Sequence, residues 1–208
     1  MDGVLVDTGE LHYLAWMQTL STFDIPFSYE LFQKTFGMNN AGVLTCLLGE
    51  TPSQEFLTQV SEAKEQLFRE KIRGQAALLP GVATWLEQLQ QVGYTQAIAS
   101  SAPPANIDAL VDELNIRSNF EVIVSGFDLP GKPAPDTFLK SARLLKTSSD
   151  RCIVVEDATA GVEAARRAGM KCVAVTTTNP ASLLQDADVV VENMTLLDPD
   201  IFDRLLRQ

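Results

Sequence analysis

Short apolar runs alternate with helix-length stretches from about residue 80 onward, and this alternation restricts the fold more than any other feature. "YTQAIAS" (94–100), "EVIVSG" (121–126), "CIVVED" (152–157) and "KCVAVTT" (171–177) are short and apolar, with β-branched residues, and "DVVVENM" (188–194) reads as a fifth such run. The stretches 81–92, 104–115, 135–146 and 159–168 between them carry helical patterning. Strands that alternate with helices form a parallel sheet covered on both faces. Gly93 and Gly169 each fall just after a helical stretch and just before a strand, where C-capping glycines sit.

Residues 9–79 read differently. "ELHYLAWMQTLSTF" and "SQEFLTQVSEAKEQLFREKI" have helical periodicity, and no convincing buried strand interrupts them. Upstream, Val4-Leu5-Val6 reads as the end of a strand. An all-helical block between that strand end and the alternating region is an inserted cap. The expected division is therefore a core of residues 1–8 and 80–208 and a helical cap of residues 9–79. The turn "LLPGV" (78–82) would be the exit hinge.

A length of 208 residues with 46% hydrophobic content is enough for one core with a smaller insertion. The net charge of −11 argues against nucleic acid and against an anionic membrane surface as partners. No run approaches the roughly 18 apolar residues of a membrane span, and no signal peptide is visible. Cys46, Cys152 and Cys172 have no metal-binding spacing and read as buried free thiols of a reducing, cytoplasmic compartment.

Ligands of an open parallel sheet bind beyond the carboxyl ends of its strands. At those ends lie Ser100 and Ser101, then Gly131-Lys132-Pro133, then Glu156-Asp157, with Asp2 close to the first apolar run. Acids can hold Mg²⁺, and a lysine with a hydroxyl can hold a phosphate. Each element also has an ordinary reading. Glu156-Asp157 can serve a helix N-terminus. Ser100-Ser101 can be a plain loop and Lys132 a solvated turn residue. His12, four residues before Trp16, can be a packed helix residue, and Trp16 can be cap core. Pro133 and Pro135 are expected to hold their loop extended.

Four segments occur in order: "DGVLVDTGELH" (2–12), "IASSAPPANI" (98–107), "GKPAPDTF" (131–138) and "VVEDATAGVEAARRAGM" (154–170). Together they resemble the haloacid dehalogenase superfamily, in its β-phosphoglucomutase-like branch with a helical cap. The resemblance spans nearly the whole chain. It implies a Rossmann-like α/β core and a Mg²⁺-dependent phosphoryl transfer through an aspartyl-phosphate. Asp2 resembles the general acid/base, whose backbone carbonyl also faces the metal. Ser100 resembles the hydroxyl that binds the phosphoryl group, with Ser101 beside it. Lys132 resembles the lysine that neutralises charge between nucleophile and phosphate. Asp157 resembles the principal metal ligand, and Glu156 the adjacent acid that helps hold it. Thr8, His12 and Trp16 match positions lining the substrate pocket. Asn40 stands where the mutase carries an arginine that grips a second phosphate.

The family's first motif is Asp-x-Asp-Gly, with the first Asp as nucleophile at the end of a central strand. With Asp2 as the second acid, that nucleophile falls before Met1, outside this sequence, together with its strand. The enzyme expected is a phosphatase of small phosphorylated metabolites, sugar phosphates foremost, inactive as this chain stands. Alternatives are a β-phosphoglucomutase-type phosphomutase and a non-catalytic phosphate-binding remnant. With the central strand the chain is expected to be a monomer. Without it, a strand-exchanged oligomer is expected.

Overall fold

The computed structural model describes residues 1–207. Two units divide the chain: Thr8–Gln75, and Met1–Asp7 with Ala76–Gln208.

The first unit is helical: α1 (Gly9–Ser21), α2 (Tyr29–Thr35), α3 (Asn40–Leu48) and α4 (Gln54–Lys71). Local chemistry sets three of the four starts. The side chains of Ser28, Asn39 and Ser53 accept the backbone N–H groups of Leu31, Gly42 and Phe56. Such caps satisfy donors that a helix start leaves unpaired, each worth about 1 kcal/mol. α1 packs along α4. Trp16, Leu20, Phe32, Val43, Leu44 and Val60 form the buried centre, with Tyr13 and Phe27 against it.

The second unit carries β1 (Ala97–Ser100), β2 (Val122–Ser125), β3 (Ile153–Glu156), β4 (Lys171–Val175) and β5 (Val189–Val191). Its helices are α5 (Val82–Gln91), α6 (Pro104–Glu113), α7 (Asp136–Leu144), α8 (Thr159–Arg167) and a C-terminal α9 (Ile201–Leu206). Every strand pair is parallel. Gly93 and Gly169 follow α5 and α8 with φ of 90° and 69°.

The strands form two ladders, β1-β2 and β3-β4-β5, and among the described residues no ladder joins β1 to β3. One expectation is corrected here: Val4-Leu5-Val6, read above as a strand end, is part of a turn. The Met1 carbonyl accepts from the N–H groups of Val4, Leu5 and Val6 at 3.2, 2.7 and 3.4 Å. Gly3 N–H returns to the Val6 carbonyl at 2.8 Å. The apolar side chains are buried all the same, because Val6 bridges Leu78 and Leu79 N–H donates to the Leu5 carbonyl. Burial, which the sequence pattern reports, is satisfied here without extended backbone.

The cysteines are unpaired, but only Cys172 is buried; Cys46 is exposed and Cys152 half-buried. Burial pushes the Cys172 thiol up to about 12, so it stays protonated and unreactive. No helix among the described residues is long and apolar enough to cross a membrane.

α9 closes the core by burying Ile201, Phe202 and Leu205. Phe202 meets the Trp85 ring edge-on at 5.1 Å, and the Trp85 indole N–H donates to the buried Met194 carbonyl at 2.7 Å. Trp85→Phe keeps an apolar ring but leaves that carbonyl without its donor. A loss of about 1–3 kcal/mol in urea unfolding is expected; an unchanged midpoint would show that the bond contributes nothing.

Candidate active site

β3 delivers two acids in succession to its carboxyl end, Glu156 and Asp157, both buried. One Glu156 oxygen, Oε2, accepts the backbone N–H groups of Asp157 and Ala158 at 2.9 and 3.1 Å. The other, Oε1, pairs with the Lys132 ammonium. The N-cap position of α8 belongs to Ala158, so Asp157 does not cap the helix. Gly161 lets the first turn of α8 sit on the carboxylate, since a Cβ there would fall 2.1 Å from Glu156 Cδ. Burial works to raise the Glu156 pKa, yet Lys132 and the backbone donors hold it below its ordinary value.

Lys132 is delivered by the loop between β2 and α7. That loop is not the extended run expected from its prolines. The Lys132–Pro133 peptide is cis, and Ala134 N–H closes onto the Gly131 carbonyl at 3.0 Å. Pro135 takes helical dihedrals and serves as the N-cap of α7. The turn sets the Lys132 ammonium over the Phe138 ring, 4.9 Å from its centre, as well as against Glu156.

Asp157 sits in a second cluster. Its Oδ2 accepts the Thr178 hydroxyl at 2.5 Å, and its backbone carbonyl accepts the Asn179 side-chain N–H at 3.0 Å. Gly3 presses on the same oxygen: it has φ of +68°, and a Cβ there would fall 1.9 Å from Asp157 Oδ2. The Asp2-Gly3 segment therefore lies beside Asp157 because residue 3 has no side chain. Burial, and then the neighbouring Glu156, push the Asp157 carboxyl up to about 6. Asp2 itself is half-buried and bridges Val6. Thr178 and Asn179 escaped the sequence reading. They follow β4, so the carboxyl-end rule applied to β1 and β3 would have found them.

Ser100 ends β1, buried, and its Oγ accepts Ala102 N–H at 3.2 Å. That bond uses the oxygen as acceptor and leaves the hydroxyl proton for a ligand. Ser101 is exposed in the turn that follows.

The remaining candidates, Thr8, His12, Trp16 and Asn40, fall in the helical unit. Thr8 is buried at the N-cap of α1, and its carbonyl accepts His12 N–H at 2.9 Å. Two α4 residues that the sequence did not single out tie the others together. Lys64 Nζ lies 3.0 Å from His12 Nδ1 and donates to Glu65 Oε1 at 2.9 Å. Asn40 Nδ2 donates to that same Glu65 oxygen at 2.9 Å. The Lys64 ammonium also lies 5.4 Å from the Trp16 ring centre. The His12 ring stacks on Phe68 at 4.0 Å, nearly parallel. Burial, and then the Lys64 charge, hold the His12 pKa well below its ordinary value despite Glu65. His12 is thus neutral, with Nδ1 as acceptor. A lysine with only 3% exposure on an otherwise charged helix cannot be picked out by spacing.

The core cluster offers oxygen donors only, in Asp157 and the Asp2-Gly3 backbone beside it. Among the described residues no group of three His, Cys, Asp or Glu side chains converges as a metal cage. Glu156 is already committed to Lys132 and two amides. This donor set fits a hard divalent cation that keeps several of its waters, and the raised Asp157 pKa marks a carboxylate that a cation would relieve.

Comparison with known proteins identifies the family. The haloacid dehalogenase-like hydrolase family matches residues 1–175. The β-phosphoglucomutase of Bacillus subtilis is 33% identical over 201 residues, covering 92% of this chain and 86% of that one. A phosphorylated carbohydrates phosphatase of Thermotoga maritima is 28% identical over 176 residues, covering 82% and 80%. In fold, the chain superimposes with a TM-score of 0.91 on a crystal structure of a HAD hydrolase, family IA, variant 3, from Entamoeba histolytica, at 24% identity and over 100% of this chain and 97% of that one. The chain belongs to the haloacid dehalogenase-like hydrolases, with the family's Rossmann-like α/β core and helical cap. Its relatives are phosphatases and phosphomutases, which places it in general among phosphoryl-transfer enzymes.

The raised Asp157 pKa has a consequence for stability. A carboxyl that holds its proton more tightly when folded makes ionisation costly to the fold. Stability is lost as pH rises from about 4 through about 6, and the penalty persists above. Asp157→Asn is therefore expected to raise stability above pH 6 by about 1–3 kcal/mol, with the gain vanishing near pH 4. Thermal melts between pH 4 and 8 decide it; a variant less stable throughout would contradict the assignment.

Proposed function

We propose that this site serves a Mg²⁺-dependent phosphomonoesterase of small phosphorylated metabolites, sugar phosphates foremost. The observation that carries the proposal is the linked cluster at the carboxyl end of β3: Lys132 held by Glu156, and Asp157 held beside Gly3 by Thr178. It combines a fixed cation for phosphoryl oxygens with a charged oxygen donor for a metal, and Ser100 ends β1 with a hydroxyl to donate.

In this reading Lys132 and the Ser100 hydroxyl bind the phosphoryl oxygens. Glu156 acts on Lys132 and not on the substrate, fixing the ammonium where charge develops. Asp2 gives its proton to the leaving oxygen and afterwards takes one from the attacking water. Asp157 and the Asp2 carbonyl would hold Mg²⁺, which supplies neutralising charge when bound. The carboxylate nucleophile implied by the resemblance falls before Met1 and is not among residues 1–208. Thr8, His12, Trp16 and Asn40, joined by Lys64 and Glu65, are assigned to substrate selection.

The second reading is a phosphomutase, favoured by the name of the Bacillus subtilis relative. A mutase must grip a second phosphate. Asn40 has no positive charge and gives a hydrogen of its amide to Glu65. It cannot supply the bidentate clamp of an arginine, worth about 1.5–3 kcal/mol per charge-assisted bond. Hydrolysis is therefore preferred.

Residues 1–208 alone are expected to turn over aryl and sugar phosphates negligibly. Adding an apolar strand ending in Phe-Asp before Met1 is expected to bring Mg²⁺-dependent hydrolysis, which changing that new Asp to Asn removes. Turnover by residues 1–208 at roughly 1 s⁻¹ or more, unaffected by Asp2→Asn, would overturn the placement of the site.

A further inference from the structure

Asp157 offers its two carboxylate oxygens unequally. Oδ2 accepts the Thr178 hydroxyl at 2.5 Å. Gly3 crowds the same atom: a Cβ there would fall 1.9 Å from Oδ2 and 2.8 Å from the Thr178 hydroxyl oxygen. The space beside Oδ2 is therefore already taken. Among the described residues Oδ1 accepts no hydrogen bond. It is not sealed from solvent either, since among these residues the only buried side-chain oxygen without a partner is that of Thr19.

The grip on Asp157 comes from the segment after β4. Thr178 holds the side chain, and the Asn179 side chain donates to the Asp157 backbone carbonyl at 3.0 Å. β4 lies beside β3 in parallel register, with Ala174 opposite Glu156, so residues just past its end reach the acid that follows β3. A carboxylate fastened at side chain and backbone by one neighbouring segment is fixed in orientation, as ligands backed by a second layer of hydrogen bonds are. Thr178 is itself exposed, so its hydroxyl is not there to satisfy the core.

We infer that Thr178 is a positioning residue that makes Asp157 a one-oxygen ligand and thereby sets a preference for Mg²⁺ over Ca²⁺. The inference rests on the metal site proposed above. The two ions differ in what they ask of a carboxylate. Mg²⁺ is small, demands octahedral geometry and keeps several waters, so one oxygen from each carboxylate suits it. Ca²⁺ takes more oxygens in a looser shell and uses carboxylates through one oxygen or both. With Oδ2 tied to Thr178, the second oxygen is withheld from the larger ion. Without that hydroxyl the carboxylate can turn and present both.

The test is the ratio of Kd values for Mg²⁺ and Ca²⁺ on the whole chain. Competition of each ion against Mn²⁺, followed by the electron paramagnetic resonance of free Mn²⁺, measures both even where binding is weak. Thr178→Val removes the hydroxyl at nearly constant shape, and Thr178→Ser keeps it. The ratio is decisive because a carboxylate that loses a hydrogen bond binds every cation more tightly. Thr178→Val is expected to move the ratio toward Ca²⁺ by about fivefold or more, and Thr178→Ser to stay within about twofold of the original. Asp157→Asn supplies the baseline from other carboxylates. An unchanged ratio in Thr178→Val, or an equal shift in Thr178→Ser, with binding still dependent on Asp157, would overturn the inference and leave the metal site standing. Cation binding that Asp157→Asn does not alter would remove the metal site, and the inference with it.

Discussion

A buried carboxylate at the end of a strand has to be compensated, and in this core the compensation of Glu156 organises its surroundings. Its two oxygens reach the start of α8 through backbone amides and the β2–α7 loop through Lys132. Taking such an ion from water costs several kcal/mol, and only a good partner with further hydrogen bonds offsets it. Glu156 has both. The consequence is positional: Lys132, which has a flexible four-carbon stem, is pinned at one point. Removing Glu156 would free the cation and detach the loop together.

Asp157, one residue on, has the opposite balance. It lies next to a carboxylate that Lys132 and two backbone amides hold below its ordinary pKa, and its own oxygen accepts a hydroxyl. Its charge is therefore poorly matched by the protein alone. A carboxylate in that state costs the fold when it ionises, and a cation beside it would relieve that cost. The same tension appears in the helical unit. There Lys64 is buried between His12 and Glu65, and the histidine is kept neutral to accommodate it.

How much of this the sequence disclosed follows from what a pattern can encode. Periodicity located α1, α4, the four helices α5 to α8 and the five strands to within a few residues, because burial sets periodicity and burial is what the sequence records. It failed at Val4-Leu5-Val6, whose burial is achieved in a turn, and it missed α9. The acids and Lys132 were legible because they follow strands. Their grouping was not, since Gly3 and Gly161 matter through the space they leave. Lys64 was invisible because burial of a lysine depends on what a neighbouring helix, here α1 with His12 and Trp16, places beside it.

The central claim is that Lys132, Ser100 and Asp157 form a joint site for a phosphoryl group and a divalent cation. Calorimetric titration of inorganic phosphate, with and without Mg²⁺, tests it most directly. Phosphate is expected to bind one-to-one and more tightly when Mg²⁺ is present, with Mg²⁺ tightened by phosphate by the same factor. Lys132→Met should weaken phosphate by about tenfold or more, and Asp157→Asn should remove the effect of Mg²⁺. Phosphate binding that is indifferent to Mg²⁺ and to both substitutions would contradict the account.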